Sequence, residues 1–311
     1  MATYKGIDVS ASNGIVDWNA VKASGVKFAM LRLGFGSDIA SQDDSQFARN
    51  VSECERLGID WGAYLYSYAL NTADAQSEAN HALRLLKGKK PTLPIALDME
   101  DADGYKKKNG MPSNAALVDI CNTFLSALTK SGYYVALYAS LSWLDNQLNS
   151  SVLATYDKWV AQWNSTCQYT HGYGIWQDCD NLKINGHTFD DDIFYREYPA
   201  IIKNGGYNGW TKPAAVTASA KASTQQTTPK AAHKAATKPA SPVAIKTGQK
   251  ITLSKANLYV SSTAPKAASS ISGTYYLWDT AISNGRIKIT NSSSNVGKIN
   301  AVTGWIDKKG F

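Results

Sequence analysis

KWVAQW (158–163), YGIWQDC (173–179) and FDDDIF (189–194) are three strand-like runs, rich in aromatic and branched residues, with only residues 164–172 and 180–188 between them. A packed crossover helix needs a dozen residues or more. These two connections are shorter than that and polar, so this end of the sheet reads as hairpin-like returns without helices. Working back toward the N-terminus, five more strand candidates occur at 5–9, 28–34, 61–68, 94–100 and 133–140. Helical patterns separate them. Residues 72–87 place Ala75, Ala79, Ala82, Leu83 and Leu86 on one face, with Thr72 as N-cap and Gly88 past the end. Residues 113–131 align Leu117, Cys121, Phe124, Leu125 and Leu128, bounded by Ser113 and Gly132. Asp17–Ser24, Gln42–Leu57 and a short turn over Leu141–Leu148 complete the set. The expectation is an α/β fold: eight strands closed into an irregular barrel, with helices around the first five strands. An open doubly wound sheet is the alternative. It has little support, because Gly34-Phe35-Gly36 lacks the third spaced glycine of a nucleotide-binding turn.

The chain has 311 residues, of which 44% are hydrophobic and 18% charged, enough apolar material to exclude disorder throughout. No apolar run reaches the ~18–20 residues that cross a bilayer. MATYKGIDVS (1–10) lacks the basic and apolar regions of a secretory signal, which points to synthesis in the cytoplasm. Cys54, Cys121, Cys167 and Cys179 form no CxxC pair, and the four histidines show no metal-ligand spacing. No metal and no cofactor are expected.

Charge divides the chain. Residues 1–211 carry 18 Lys/Arg against 23 Asp/Glu, whereas 212–311 carry 14 Lys/Arg against Asp279 and Asp307 alone. Such asymmetry implies two parts with different partners, the second partner being polyanionic. Residues 212–245 are rich in Ala, Lys, Thr and Pro and hold no acid or aromatic, so they read as a flexible tether. Five short strand-like runs follow in 246–311, at 249–253, 257–260, 274–278, 286–290 and 302–306, as in a small all-β barrel.

The chemistry is concentrated in PIALDMED (94–101). Strand side chains alternate, so Asp98 and Glu100 project to one face and Met99 to the other. Two carboxyl groups on one face suit glycosidic hydrolysis: one, with a raised pKa, protonates the leaving oxygen while the other stabilises positive charge. A single acid at a strand end is more often a solvated loop residue, the reading kept for Asp101, Asp103 and Asp191. Two other strands add to the pair. Asp8 lies inside an apolar first strand, and Asp190 and Asp192 share a face of the last. Closing a barrel makes Asp8 and Asp190 neighbours across the seam.

GIDVS, PIALDMED, WVAQW, GIWQD and FDDDIF, in this order over about residues 3–198, resemble the glycoside hydrolase family 25 lysozymes, the N-acetylmuramidases of phage endolysins and bacterial autolysins. The resemblance implies a (β/α)5β3 barrel of TIM-like type. It also implies cleavage of the β-1,4 bond between N-acetylmuramic acid and N-acetylglucosamine in peptidoglycan. By position it assigns Glu100 as general acid and Asp98 as the carboxylate that either positions the substrate N-acetyl group or acts as nucleophile or base, with Asp8 and Asp190 as supporting acids. Asp192 occupies a further family position of open role. Tyr66, Tyr138, Trp163 and Trp176 are the aromatic residues it favours for stacking on sugar rings, although each is also a natural core residue. Lys106–Lys108 reads as a solvated loop.

The C-terminal runs around Tyr259, Tyr276, Trp278 and Trp305 resemble bacterial SH3-type wall-binding domains. With nine basic residues against two acidic, this part suits peptidoglycan or an anionic wall polymer. Basic plus aromatic residues also fit nucleic acid, a reading that the hydrolase-like part in front sets aside. The expectation is therefore a modular peptidoglycan hydrolase of the phage endolysin kind, acting at the wall after release from the cytoplasm. The rival reading is a non-catalytic wall-binding protein on a decayed barrel.

Overall fold

The computed structural model describes residues 3–213, 245–259, 266–267, 269–283, 285–296 and 302–308. The chain separates into two compact units, 1–213 and 214–311. Most of the expected tether, residues 214–244, lies outside the described residues.

In the first unit, β1 (Tyr4–Val9), β2 (Phe28–Phe35), β3 (Asp60–Tyr66), β4 (Ile95–Asp98), β5 (Val135–Ser140), β6 (Asp157–Ala161), β7 (Ile175–Ile184) and β8 (His187–Phe194) form one closed barrel in chain order. α1 (Trp18–Ala23), α2 (Phe47–Leu57), α3 (Thr72–Leu86), α4 (Tyr105–Lys108), α5 (Asn114–Lys130) and α6 (Leu141–Asp145) lie between the strands, and α7 (Tyr198–Gly205) follows the last. α3 buries Ala75, Ala79, Ala82 and Leu86, and α5 buries Leu117, Ile120, Cys121, Phe124, Leu125 and Leu128. Both helices thus turn their apolar stripe inward. The cap of α3 is Asn71, whose side chain accepts from the N–H groups of Ala73 and Asp74, one residue before the expected Thr72. Ile7, Val9, Leu31, Leu33, Leu65 and Leu97 belong to the same apolar core as the helices. Period-two alternation then turns their neighbours, Asp8, Arg32, Tyr64 and Asp98 among them, into the barrel.

The helix-poor end differs from expectation in detail. Strands β6 and β7 are parallel, with Val160 opposite Trp176 and Ala161 opposite Gln177, so residues 162–174 form a helix-free crossover and not a hairpin. Only β7 and β8 form a hairpin, and both run further than expected, to Ile184 and from His187. Asn185 and Gly186, at φ 45° and 81°, make the two-residue turn. Both central residues in the left-handed region fit the twist of paired strands, which is why Asn-Gly favours such turns. The polar run 180–183 concealed this, because an exposed hairpin arm carries little apolar signal.

Strands β1 and β8 close the barrel in antiparallel register, Asp8 opposite Asp190 and Gly6 opposite Asp192. Gly6 is obligatory on steric grounds: a Cβ there would lie 2.2 Å from the Phe194 ring. Phe28 and Phe194, ring centroids 4.9 Å apart, pack the interior at this level. Aromatic side chains thus fill the barrel at this end.

The second unit is a four-stranded antiparallel sheet among the described residues: β9 (Lys250–Leu258), β10 (Ser269–Ser283), β11 (Arg286–Thr290) and β12 (Gly304–Asp307), ordered β12-β11-β10-β9. Tyr259 and Trp305 exchange backbone hydrogen bonds of 2.8 and 2.9 Å, which join the first strand's end to the last strand. Ile251, Leu253, Leu277, Ile287, Ile289 and Ile306 form the core. The two expected runs at 249–253 and 257–260 are largely one strand. Lys255, at φ 52°, kinks it midway, beside a register shift in β10, and this break made it read as two.

Candidate active site

Where β4 ends, Asp98 and Glu100 enter a cavity of about 180 Å³ that Asp8, Asp190, Arg32, Tyr64, Tyr66, Tyr138, Trp159 and Gln177 also line. All four acids expected at the site therefore converge. The cavity lies at the C-terminal ends of the parallel strands, where β-α loops leave room for side chains to project. A larger cavity, about 260 Å³, opens beside Gly36, Gln42, Tyr68, Glu78 and Tyr105, and none of the four acids lines it.

Asp8 is held from both sides. Gln177 Nε2 donates to its Oδ2 at 2.8 Å, and Tyr64 Oη approaches Oδ1 at a weak 3.4 Å. The same Nε2 lies 3.4 Å from Asp190, while Gln177 Oε1 accepts from Tyr138 Oη at 3.0 Å. Gln177 thus bridges two acids with a group that cannot ionise. Arg32 supplies positive charge at the cavity wall and is anchored by an ion pair to the buried Asp44 at 2.8 Å.

Burial raises the pKa of every acid here, because a low-dielectric site disfavours the ionised form. Asp8 is pushed up to about 8 by burial and then by Asp190. Burial, with Glu100 and Asp8 next, lifts Asp98 well above the carboxylate range. Asp98 Oδ1 is buried and has no hydrogen-bond partner. Burial raises Asp190, with Asp180 adding to it. Glu100 is raised by burial against a downward pull from Lys106. Burial and mutual repulsion thus both disfavour ionising the four carboxyl groups together.

The other expected contacts divide. Tyr66 and Tyr138 line the cavity. Asp192, Trp176 and Trp163 do not. Asp192 is fully buried and accepts from Trp159 Nε1 at 2.7 Å, which places it under the cavity as a support for the indole. Trp176 alternates with the inward Gln177 and so takes the other face of β7, where its Nε1 donates to the Gln162 carbonyl at 2.8 Å. Trp163 lies beyond the end of β6 and is 63% exposed.

Sequence reasoning missed Gln177, Arg32 and Trp159. Alternation from Trp176 would have turned Gln177 inward had the register been known. Lys106 was misplaced as well: it is fully buried in α4, not solvated in a loop.

In the second unit, Arg286 stacks 3.4 Å over the Tyr259 ring. Lys288 Nζ lies 4.6 Å from the Trp278 ring and 5.2 Å from that of Trp305. Of the four aromatic residues expected there, Tyr259 is buried, and Tyr276, Trp278 and Trp305 are partly exposed.

Comparison with known proteins places this arrangement. An autolytic lysozyme of Clostridium acetobutylicum is 27% identical over 190 residues, which is 61% of this chain and 54% of that protein. Lysozyme M1 of Streptomyces globisporus is 26% identical over 197 residues, 60% of this chain and 66% of that one. The chain thus spans between half and two thirds of the length of these curated relatives. Among solved structures, the modular autolysin LytC from Streptococcus pneumoniae, in complex with a synthetic peptidoglycan ligand, superposes with a TM-score of 0.56 at 28% identity. That match covers 62% of this chain and 47% of LytC. The sequence model of the glycosyl hydrolases family 25 matches residues 7–187, more than half of the chain. Three of the four convergent acids fall inside that span, and the fourth, Asp190, is tied to it by its register with Asp8. The chain belongs to the glycosyl hydrolases family 25.

Proposed function

We propose that residues 1–211 hydrolyse the β-1,4 bond between N-acetylmuramic acid and N-acetylglucosamine in peptidoglycan. The observation that carries this reading is the convergence of Asp8, Asp98, Glu100 and Asp190 on one cavity. Glu100 has a raised pKa and serves as the general acid. It gives its proton to the glycosidic oxygen as the bond to the anomeric carbon breaks. Asp98, which Lys106 and Arg32 pull toward its ionised form against burial, faces the positive charge that develops on the sugar ring, and water adds its oxygen to the anomeric carbon and releases a proton to the carboxylate cluster. Asp8 and Asp190, bridged by the neutral Gln177 amide, tune the charge of the pair through space. Tyr66 and Tyr138 offer ring faces to the CH surfaces of a sugar.

In the same reading, residues 212–245 tether a wall-binding domain of SH3-like type, residues 246–311. Its excess of nine basic over two acidic residues suits an anionic wall polymer or peptidoglycan itself, although Arg286 and Lys288, over the Tyr259, Trp278 and Trp305 rings, are themselves paired with Asp307 and Asp279. Tethering raises the effective substrate concentration. The whole is a modular hydrolase of the phage endolysin type, acting at the bacterial wall.

Mass spectrometry of purified wall digested by the full chain tests the bond. New reducing ends on muramic acid are expected, and ends on glucosamine would overturn the assignment. Glu100→Gln should keep wall binding and lose ~10²–10⁴ in rate. A chain that binds walls yet frees no reducing ends would instead be a wall-binding protein on a barrel without catalysis.

A further inference from the structure

Lys106 belongs to a run of three lysines, yet none of its surface is exposed. Its Nζ donates to the backbone carbonyl of Glu100 at 2.8 Å and to that of Ser67. These carbonyls lie just past the ends of β4 and β3, so one ammonium ties together the two chain exits that flank the cavity. The Ser67 N–H, in turn, donates to the Asp98 carbonyl at 3.0 Å. The ammonium lies 5.9 Å from the centre of the Tyr66 ring. Asp101 fixes the lysine's own backbone: Oδ1 accepts from the Lys106 N–H at 2.6 Å and Oδ2 from the Lys107 N–H at 3.0 Å. Behind it, Glu78 of α3 accepts from Ser67 Oγ at 2.8 Å and from the Tyr68 N–H at 2.7 Å.

Taking an ammonium out of water is costly, and an apolar side chain of similar length would fill the same space without that cost. We propose that Lys106 is a positioning residue for Glu100: its buried ammonium anchors the main chain from which the acid projects and sets a fixed positive charge against the cavity's carboxyl groups. The inference rests on the assignment of Glu100 as general acid.

The groups that face Lys106 come from every element around it. They are Glu78 of α3, Tyr66 of β3, Asp98 of β4, Glu100, Asp101 and Asp103 beyond β4, and Cys121 of α5. Burial pulls the lysine's own pKa down, while Glu78, Asp98 and Asp101 support its charged form. In return Lys106 lowers both Glu100 and Asp98 against the upward effect of burial. Removing the charge therefore moves both carboxyl groups toward higher pKa. The general acid then keeps its proton to higher pH, and the ionised partner forms only at higher pH. Both limbs of the activity profile move the same way.

Lys106→Met removes the charge and keeps the length. With release of reducing ends from purified peptidoglycan as readout, kcat should fall about 10–100-fold with little change in KM. Both limbs of the pH profile should move up by about 0.5–1 unit. Lys106→Arg should restore the position of the limbs. A lower kcat with limbs unmoved would leave Lys106 only a packing role and overturn the proposal, as would unchanged kinetics. The unaltered full-length protein gives a measurement independent of folding in the variant. Its Lys106 Nζ, followed by ¹⁵N NMR between pH 5 and 8, should be an ammonium, and a neutral amine there would overturn the proposal. Absence of hydrolysis by the unaltered protein would remove the reading of Glu100 itself, a failure distinct from one confined to the Lys106 variants.

Discussion

The side-chain amide of Gln177 donates to Asp8 at 2.8 Å across a separation of 169 residues in the chain. Its orientation is not free, because Tyr138 Oη occupies the carbonyl end and leaves the NH₂ for the acids. A neutral donor between two carboxyl groups draws them together and adds no charge. Gln177→Glu would insert a third acid of nearly the same shape. The expected result is a loss of at least about 10²-fold in kcat/KM at neutral pH, with the acid limb moved upward. A pH–rate profile checks it; a limb that stays in place would show that Asp8 is not governed by this contact.

Asp8 also sets a pH dependence of stability. Its folded pKa of about 8 lies above the ordinary 3.8, so the folded state binds this proton more tightly than the unfolded chain does. The contribution is complete below the unfolded value and is lost as pH rises through the folded one. Asp8→Asn removes that loss. Thermal melts between pH 4 and 9 should show the variant gaining on the parent protein as pH rises, by about 5–10 °C at the alkaline end. Parallel curves would contradict the raised pKa.

Asp192 and Glu100 should separate by experiment, although both are acids of the same barrel. Asp192→Ala leaves the buried Trp159 N–H unpaired at a cost of about 1–3 kcal/mol, and Asp192→Asn, which can still accept, costs less. Neither should alter KM, since Asp192 does not line the cavity. A raised KM with an unchanged melting temperature would return Asp192 to the substrate.

A chain ending at Thr211 should still cleave soluble glycan fragments and sediment poorly with whole walls. Binding by the full chain should weaken as salt rises, because exposed lysines and arginines lose their reach as the screening length falls. Equal sedimentation of the two forms would refute a targeting role for residues 212–311.

Eight strands, the helices between the first five and the Asp98–Glu100 pair were legible because each is a local pattern. Apolar alternation marks a strand, an apolar stripe between caps marks a helix, and two acids two residues apart share a face wherever the chain is extended. Even the Asp8–Asp190 contact could be anticipated, since closure joins the first strand to the last. The Asn185-Gly186 turn was a local signal left unread. Other features depended on distance in the chain. Trp176 and Gln177 cannot be told apart by burial alone, as both are buried; only the register of β7 against its neighbours turns one into the cavity and the other away. Lys106 looked like solvent-facing charge because nothing within three residues reveals that two carbonyls at strand ends would enclose its ammonium.

The sequence by itself thus determined the barrel and which acids meet in it, because side-chain alternation and chain closure are rules of short range or of topology. Tertiary structure alone decided which polar groups support those acids, since burial and hydrogen bonding arise only when segments remote in sequence are packed together and water is excluded between them.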